Sequence, residues 1–136
     1  MSVAIENLIP HRAPMRFIDA LTECTETTAV ATAFFPADSF AVAAGLVVEN
    51  ALIECVAQTA AAALGQRAKN RGQSENAGGG MLVAISHFKI QSPPAAQKKL
   101  RIEIRELRHL GQIFRIFGEI FCDEKSIASG ELTLYA

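Results

Sequence analysis

Glu54 is the residue on which chemistry in this chain turns. It lies in an apolar run, Ala41 to Gly65, whose few polar side chains are chiefly Glu49, Asn50, Glu54, Gln58 and Thr59. Asn50, Glu54 and Gln58 follow one another at steps of four, so in an α-helix they form one narrow polar stripe on a surface of Ala, Val, Leu and Ile. A carboxylate in that setting is costly unless it is paired or employed. An apolar surround also favours its neutral, proton-donating form. Glu49 falls about 140° around the helix from Glu54 and faces solvent or another subunit. Two readings of the stripe stand open: acid–base machinery, or a satisfied polar seam where two long helices meet across a dimer.

Three histidines accompany it. His11 lies in Pro10-His11-Arg12, ahead of the first strand, within reach of a helix N-terminus in the same or a partner subunit. His87 sits between Ser86 and Phe88 on a strand, where a packed or edge role is the commoner one, and His109 falls in a polar turn. No His, Asp or Glu pair has the close helical spacing of a zinc or iron site, so neither metal nor cofactor is expected. Cys24, Cys55 and Cys122 are odd in number and form no CxxC, which reads as reduced, mostly packed thiols in a reducing compartment.

The elements that must position these groups are few. The chain has 136 residues, half of them hydrophobic, and a net charge of −1, which bounds one core in one domain spanning 1–136 and gives no basic field for nucleic acid. The apolar run is long enough to cross a bilayer. However, each carboxylate at the centre of such a span costs about 2.5–3.5 kcal/mol, so a helix inside a soluble, cytoplasmic protein is expected instead. The opening MSVAIENLIPHR lacks the basic-then-apolar build of a signal peptide. Strands are predicted over Met15 to Asp19 and Thr28 to Phe35, a helix over Val42 to Lys69, and a Gly-, Asn- and Ser-rich mobile loop over Asn70 to Gly80. Four more strands follow over Met81 to Gln91, Leu100 to Arg108, Gln112 to Cys122 and Ser126 to Tyr135.

Leu100, Ile102 and Ile104 alternate with Arg101, Glu103 and Arg105, so one face of that sheet is dry and needs a cover. The only cover available is the apolar helix. About six antiparallel strands curled around one long central helix make an α+β hot-dog fold. Its open edge and helix flanks predict a homodimer or higher homo-oligomer.

Three segments carry a resemblance to the 3-hydroxyacyl-[acyl carrier protein] dehydratases of the hot-dog fold. Leu8-Ile9-Pro10-His11-Arg12-Ala13-Pro14-Met15, then Phe17-Ile18-Asp19, resembles that family's opening and the hydrophobic-Asp strand after it. Ile53-Glu54-Cys55-Val56-Ala57-Gln58-Thr59-Ala60 resembles the Glu-Ala-Met-Ala-Gln block of its central helix, and His87-Phe88-Lys89 with Pro93 to Leu100 resembles its Arg-Phe-Lys strand. The resemblance implies elimination of water from a 3-hydroxyacyl thioester carried by acyl carrier protein or coenzyme A, in fatty acid or polyketide-type synthesis. It makes Glu54 the carboxylate that handles the departing hydroxyl.

The sequence departs from that pattern where the family has its catalytic histidine. Gapless counting back from Glu54 lands on Phe40, and matching Phe35-Pro36 lands on Phe34. His11 is therefore the next catalytic candidate after Glu54, with Asn50 or Gln58 orienting the carboxylate and Phe40, Phe88 and His87 as substrate contacts. Phe34, Phe35, Phe40 and Phe88 line an acyl tunnel in this reading, although core packing is the ordinary role of phenylalanine. The basic residues Arg67, Lys69, Arg71, Lys98, Lys99, Arg101, Arg105 and Arg108 either receive an acidic carrier protein or form a solvated face. Two other functions remain in view: a hot-dog thioesterase, and a non-catalytic acyl-binding or partner subunit.

Overall fold

The computed structural model describes residues 4–72 and 81–135. Strands β1 (Ile18–Cys24) and β2 (Thr28–Phe34) come first, then a small hairpin of β3 (Val42–Ala43) and β4 (Leu46–Val47), then the α-helix α1 (Glu49–Asn70). Strands β5 (Met81–Ile90), β6 (Lys99–Leu110), β7 (Ile113–Cys122) and β8 (Lys125–Tyr135) complete the sheet. It is antiparallel and runs β1-β2-β6-β7-β8-β5, so β1 and β5 are its edges. This is the predicted hot-dog arrangement, a six-stranded sheet packed on one long helix.

Alternation builds the interface between the two layers. On β2, Ala29, Ala31 and Ala33 turn inward, and on β6 Leu100, Ile102 and Ile104 do the same. Against them α1 buries Leu52, Cys55, Val56 and its alanines from Ala60 to Ala63. The small helix residues let sheet and helix approach closely, as Gly118 on β7 shows. A Cβ there would run into the Val56 side chain. The helix lies over β1, β2, β6 and β7 and covers β5 and β8 less fully.

Two predicted boundaries move. The helix begins at Glu49 rather than Val42, because Ala44 and Gly45 take left-handed backbone (φ 52° and 79°) and turn Val42 to Val47 into a hairpin. The first strand lies over Ile18–Cys24 rather than Met15 to Asp19. The 15–17 stretch instead runs up to the helix, where Gln58 holds it. His109 lies within β6, one residue before its end, and stacks on the Phe114 ring at 3.9 Å, the turn itself being made at Gly111. The remaining strands agree to within two residues at each end. Residues 73–80 of the predicted mobile loop lie outside the described residues.

Candidate active site

The helix delivers Glu54 and Gln58 to the same side, four residues apart, and Gln58 is fully buried. Its amide orientation is fixed by its surroundings. Phe17 N–H, which can only donate, reaches Gln58 Oε1 at 2.9 Å. The Nε2 group then donates to Met15 C=O at 2.8 Å and to Glu54 Oε1 at 3.2 Å. One amide therefore ties the N-terminal arm to the helix and orients the carboxylate.

His11 arrives on that arm. Its Nε2 stands 3.4 Å from Glu54 Oε1, with the two side chains 31% and 33% exposed. The other ring nitrogen, Nδ1, is buried without a hydrogen-bond partner among the described residues. Both neighbours thus address Oε1, and among the described residues Oε2 has no hydrogen bond, which leaves it open to a ligand. The carboxylate is half-buried rather than sheltered inside the core.

The other predicted site residues are placed differently. Asn50 is exposed in the first turn of α1 and makes no side-chain hydrogen bond among the described residues. The orienting role expected of Asn50 or Gln58 therefore falls geometrically to Gln58. His87 is exposed on the edge strand β5, in left-handed backbone at φ 56°. It occupies a bulge with Phe88, two residues facing the single Gly130 of β8. Phe88 packs in against the core, and a Cβ on Gly130 would come within 2.5 Å of its Cα. Neither makes a hydrogen bond or ion pair to Glu54 among the described residues.

Phe40 is 61% exposed and belongs to a groove of about 700 Å³. Phe17, Phe34, Phe35, Pro14 and Pro36 line it as well, and Arg16, Asp19, Asp38 and Ser39 add polar edges. The Phe17 ring lies 5.4 Å from that of Phe35 and 5.9 Å from that of Phe40. Phe17 links the two parts of the site, since its backbone N–H is the one Gln58 holds. Residues 13–19 were readable as a motif, but only the fold brings them back between the helix and the phenylalanines. Asp19 was quoted in that motif without a role; burial pushes its carboxyl up, with the Arg16 guanidinium opposing.

Several candidates drop back. Burial pushes the thiol of Cys55 well above its ordinary value, and Cys24 and Cys122 are raised by burial too, so none is poised as a thiolate. Of the eight basic residues, three make hydrogen bonds or ion pairs among the described residues. Arg67 donates to Thr25 and Thr28 carbonyls, Arg101 pairs with Glu103 and Glu124, and Lys98 pairs with Asp123. Among the described residues no group of three His, Cys, Asp or Glu side chains could hold a metal ion. No helix among them is long and apolar enough to cross a membrane.

Comparison with known proteins sets this geometry in a family. The model of the ApeP-like family, described as ApeP dehydratase, matches residues 3–136. The chain belongs to the ApeP-like dehydratase family. Among solved structures, the dehydratase heterocomplex ApeI:P from Xenorhabdus doucetiae matches with a TM-score of 0.89 at 22% identity, over 98% of this chain and 90% of that one. The PaaI protein of the E. coli phenylacetic acid degradation operon matches at 0.67 and 14% identity, over 85% and 81%. A hypothetical thioesterase with coenzyme A from Streptococcus pneumoniae TIGR4 matches at 0.67 and 12% identity, over 85% of each chain. No curated protein matches the chain. Family and fold together make this a hot-dog protein of the ApeP-like dehydratase family.

Proposed function

We propose that the chain dehydrates a 3-hydroxyacyl thioester carried by acyl carrier protein or coenzyme A, with Glu54 as the acting residue. The observation that carries this reading is the three-residue cluster at the helix. Gln58 and His11 engage one oxygen of Glu54, and the other stays open.

In this reading Oε2 removes the proton from C2 and returns it to the departing C3 hydroxyl. The C2–H and C3–O bonds break as the C2=C3 double bond forms, and water leaves. Placing both transfers on one carboxylate answers the loss of the family's histidine, since Phe34 and Phe40 can move no proton. His11, with Nε2–H towards Oε1, steadies the charged carboxylate before the first transfer and after the second. The phenylalanine groove receives the acyl chain, in keeping with a site that is mostly apolar with a few placed polar groups.

Two other observations support a paired assembly. The edge strand β5 exposes Val83 (57%) and Ile85 (47%), and α1 covers that edge poorly, as in a protein that adds a second hot-dog subunit there. That subunit is a second copy of this chain or, as in the heterocomplex named for Xenorhabdus doucetiae, a different dehydratase chain. The departure at Phe34 and Phe40 favours the second arrangement as the alternative, in which this chain is the binding partner of an active subunit.

Incubation with 3-hydroxyacyl and plain acyl thioesters separates the readings. A dehydratase gives enoyl absorbance from the first, a thioesterase gives free thiol from either, and a partner subunit gives neither until its companion is added. Replacement Glu54→Gln is expected to reduce elimination by at least about a hundredfold, the range of a lost acid–base group. Turnover that survives the replacement overturns the assignment.

A further inference from the structure

The wall of the phenylalanine groove holds a second charged pair that the elimination does not use. Arg16 and Asp19 line it among Phe17, Phe34, Phe35 and Phe40. Arg16 is mostly covered, at 24% exposure, and Asp19 is about half open at 46%. Arg16 Nη1 lies 3.7 Å from Asp19 Oδ1, too long for a hydrogen bond, and donates instead to Ile18 C=O at 2.8 Å. Nε, itself buried, stands 3.6 Å from Glu6 Oε2 and has no hydrogen-bond partner among the described residues. Among the described residues, Nη2 donates to nothing.

The pair is therefore close but not closed on itself. A guanidinium with Nη2 unused and a carboxylate with accepting capacity line the same apolar groove. A neutral oxygen that both accepts and donates satisfies the two together, and a hydroxyl is such a group. A second carboxylate does not fit, because Glu6, Asp19 and Asp38 already outnumber Arg16 around this wall. A plain alkyl chain leaves both polar groups unmatched in a site it desolvates.

We propose that the Arg16–Asp19 pair binds a hydroxyl carried on the chain lying in this groove, remote from the thioester, so that the site selects hydroxylated acyl chains over plain alkyl ones. The inference rests on the groove being the acyl site of the proposed function. It assigns Arg16 and Asp19 as specificity residues and gives neither a part in the elimination.

Calorimetry on the full chain tests it without turnover. The probes are the amide analogues of octanoyl-pantetheine and 8-hydroxyoctanoyl-pantetheine, which neither elimination nor hydrolysis consumes. The hydroxylated ligand is expected to bind about three- to tenfold tighter, the worth of one net hydrogen bond set. Arg16→Met is expected to bring the ratio close to one, and Lys125→Gln, on β8 and outside the groove lining, to leave it as in the wild type. Should Arg16→Met fail to fold, Asp19→Asn, which keeps an acceptor for the Phe34 N–H, is expected to lower the ratio as well. Equal wild-type affinities overturn the inference while leaving the thioester reading intact. Binding of neither ligand overturns both.

Discussion

Gln58 carries more of the site than any other single side chain, because it is fully buried and makes three hydrogen bonds, to Phe17, Met15 and Glu54. Gln58→Met keeps the bulk but strands Phe17 N–H and Met15 C=O. It is expected to cost about 2–4 kcal/mol in urea denaturation, from two buried groups left unsatisfied. Asp19 gives another test through pH. Its carboxyl is raised from 3.8 by burial, so the native state holds the proton to higher pH than the unfolded chain. Stability from this group is therefore present in acid and lost as pH rises through the folded value. Asp19→Asn is accordingly expected to raise the melting temperature at pH 7, with the gain shrinking as pH falls below about 4. A melting temperature insensitive to the change at both pH values would contradict the assigned burial. At this scale the sequence was readable for Glu54, His11 and Gln58, whose spacing and motif survive folding. It was not readable for Phe17, whose ring and backbone serve different neighbours, or for Arg16, which no periodicity marks.

The helix and strands were legible to within a few residues wherever hydrophobic alternation was clean, as on β6, because burial of one face decides the register there. The failures cluster at Val42 to Val47 and at residues 15–17. The hairpin segment is apolar enough to continue the helix, and two left-handed residues in sequence overrule that pattern. Residues 15–17 have the composition of a strand and are instead an arm clamped by a side chain 41 residues away. Close packing between elements gives its own prediction. Gly118→Ala drives a methyl group into Val56 and is expected to destabilise by about 1–3 kcal/mol, the usual scale of overpacking. Val56→Ala in the same chain should recover part of that loss. Two losses that simply add would show that the strand and helix are not in contact there.

For the whole molecule the open question is assembly, and the sheet edge addresses it. If a second subunit pairs at β5, Ile85→Asp places a charge in that joint, and light scattering should show a shift to smaller species. An unchanged mass would direct attention to the other edge, β1, and to the exposed Met15, Phe34 and Phe40 around the groove. Composition led to the expectation of a single domain, and the long apolar run to that of a helix packed on the sheet. Neither could show which edge stays uncovered, since that depends on the strand order rather than on any one strand.

Strand β5 departs from regular pairing with β8 twice, between Leu82 and Ala84 and again between Ser86 and Lys89. Each irregularity bends the strand and increases its local twist, which interrupts the row of outward backbone groups. An edge crooked in two places is a poor template for the endless piling of identical copies that leads to fibres. It accepts a strand bent to the same outline and little else. Choice of companion would then be written in backbone shape, and restoring a straight β5 should broaden what the protein sticks to rather than tighten any one attachment.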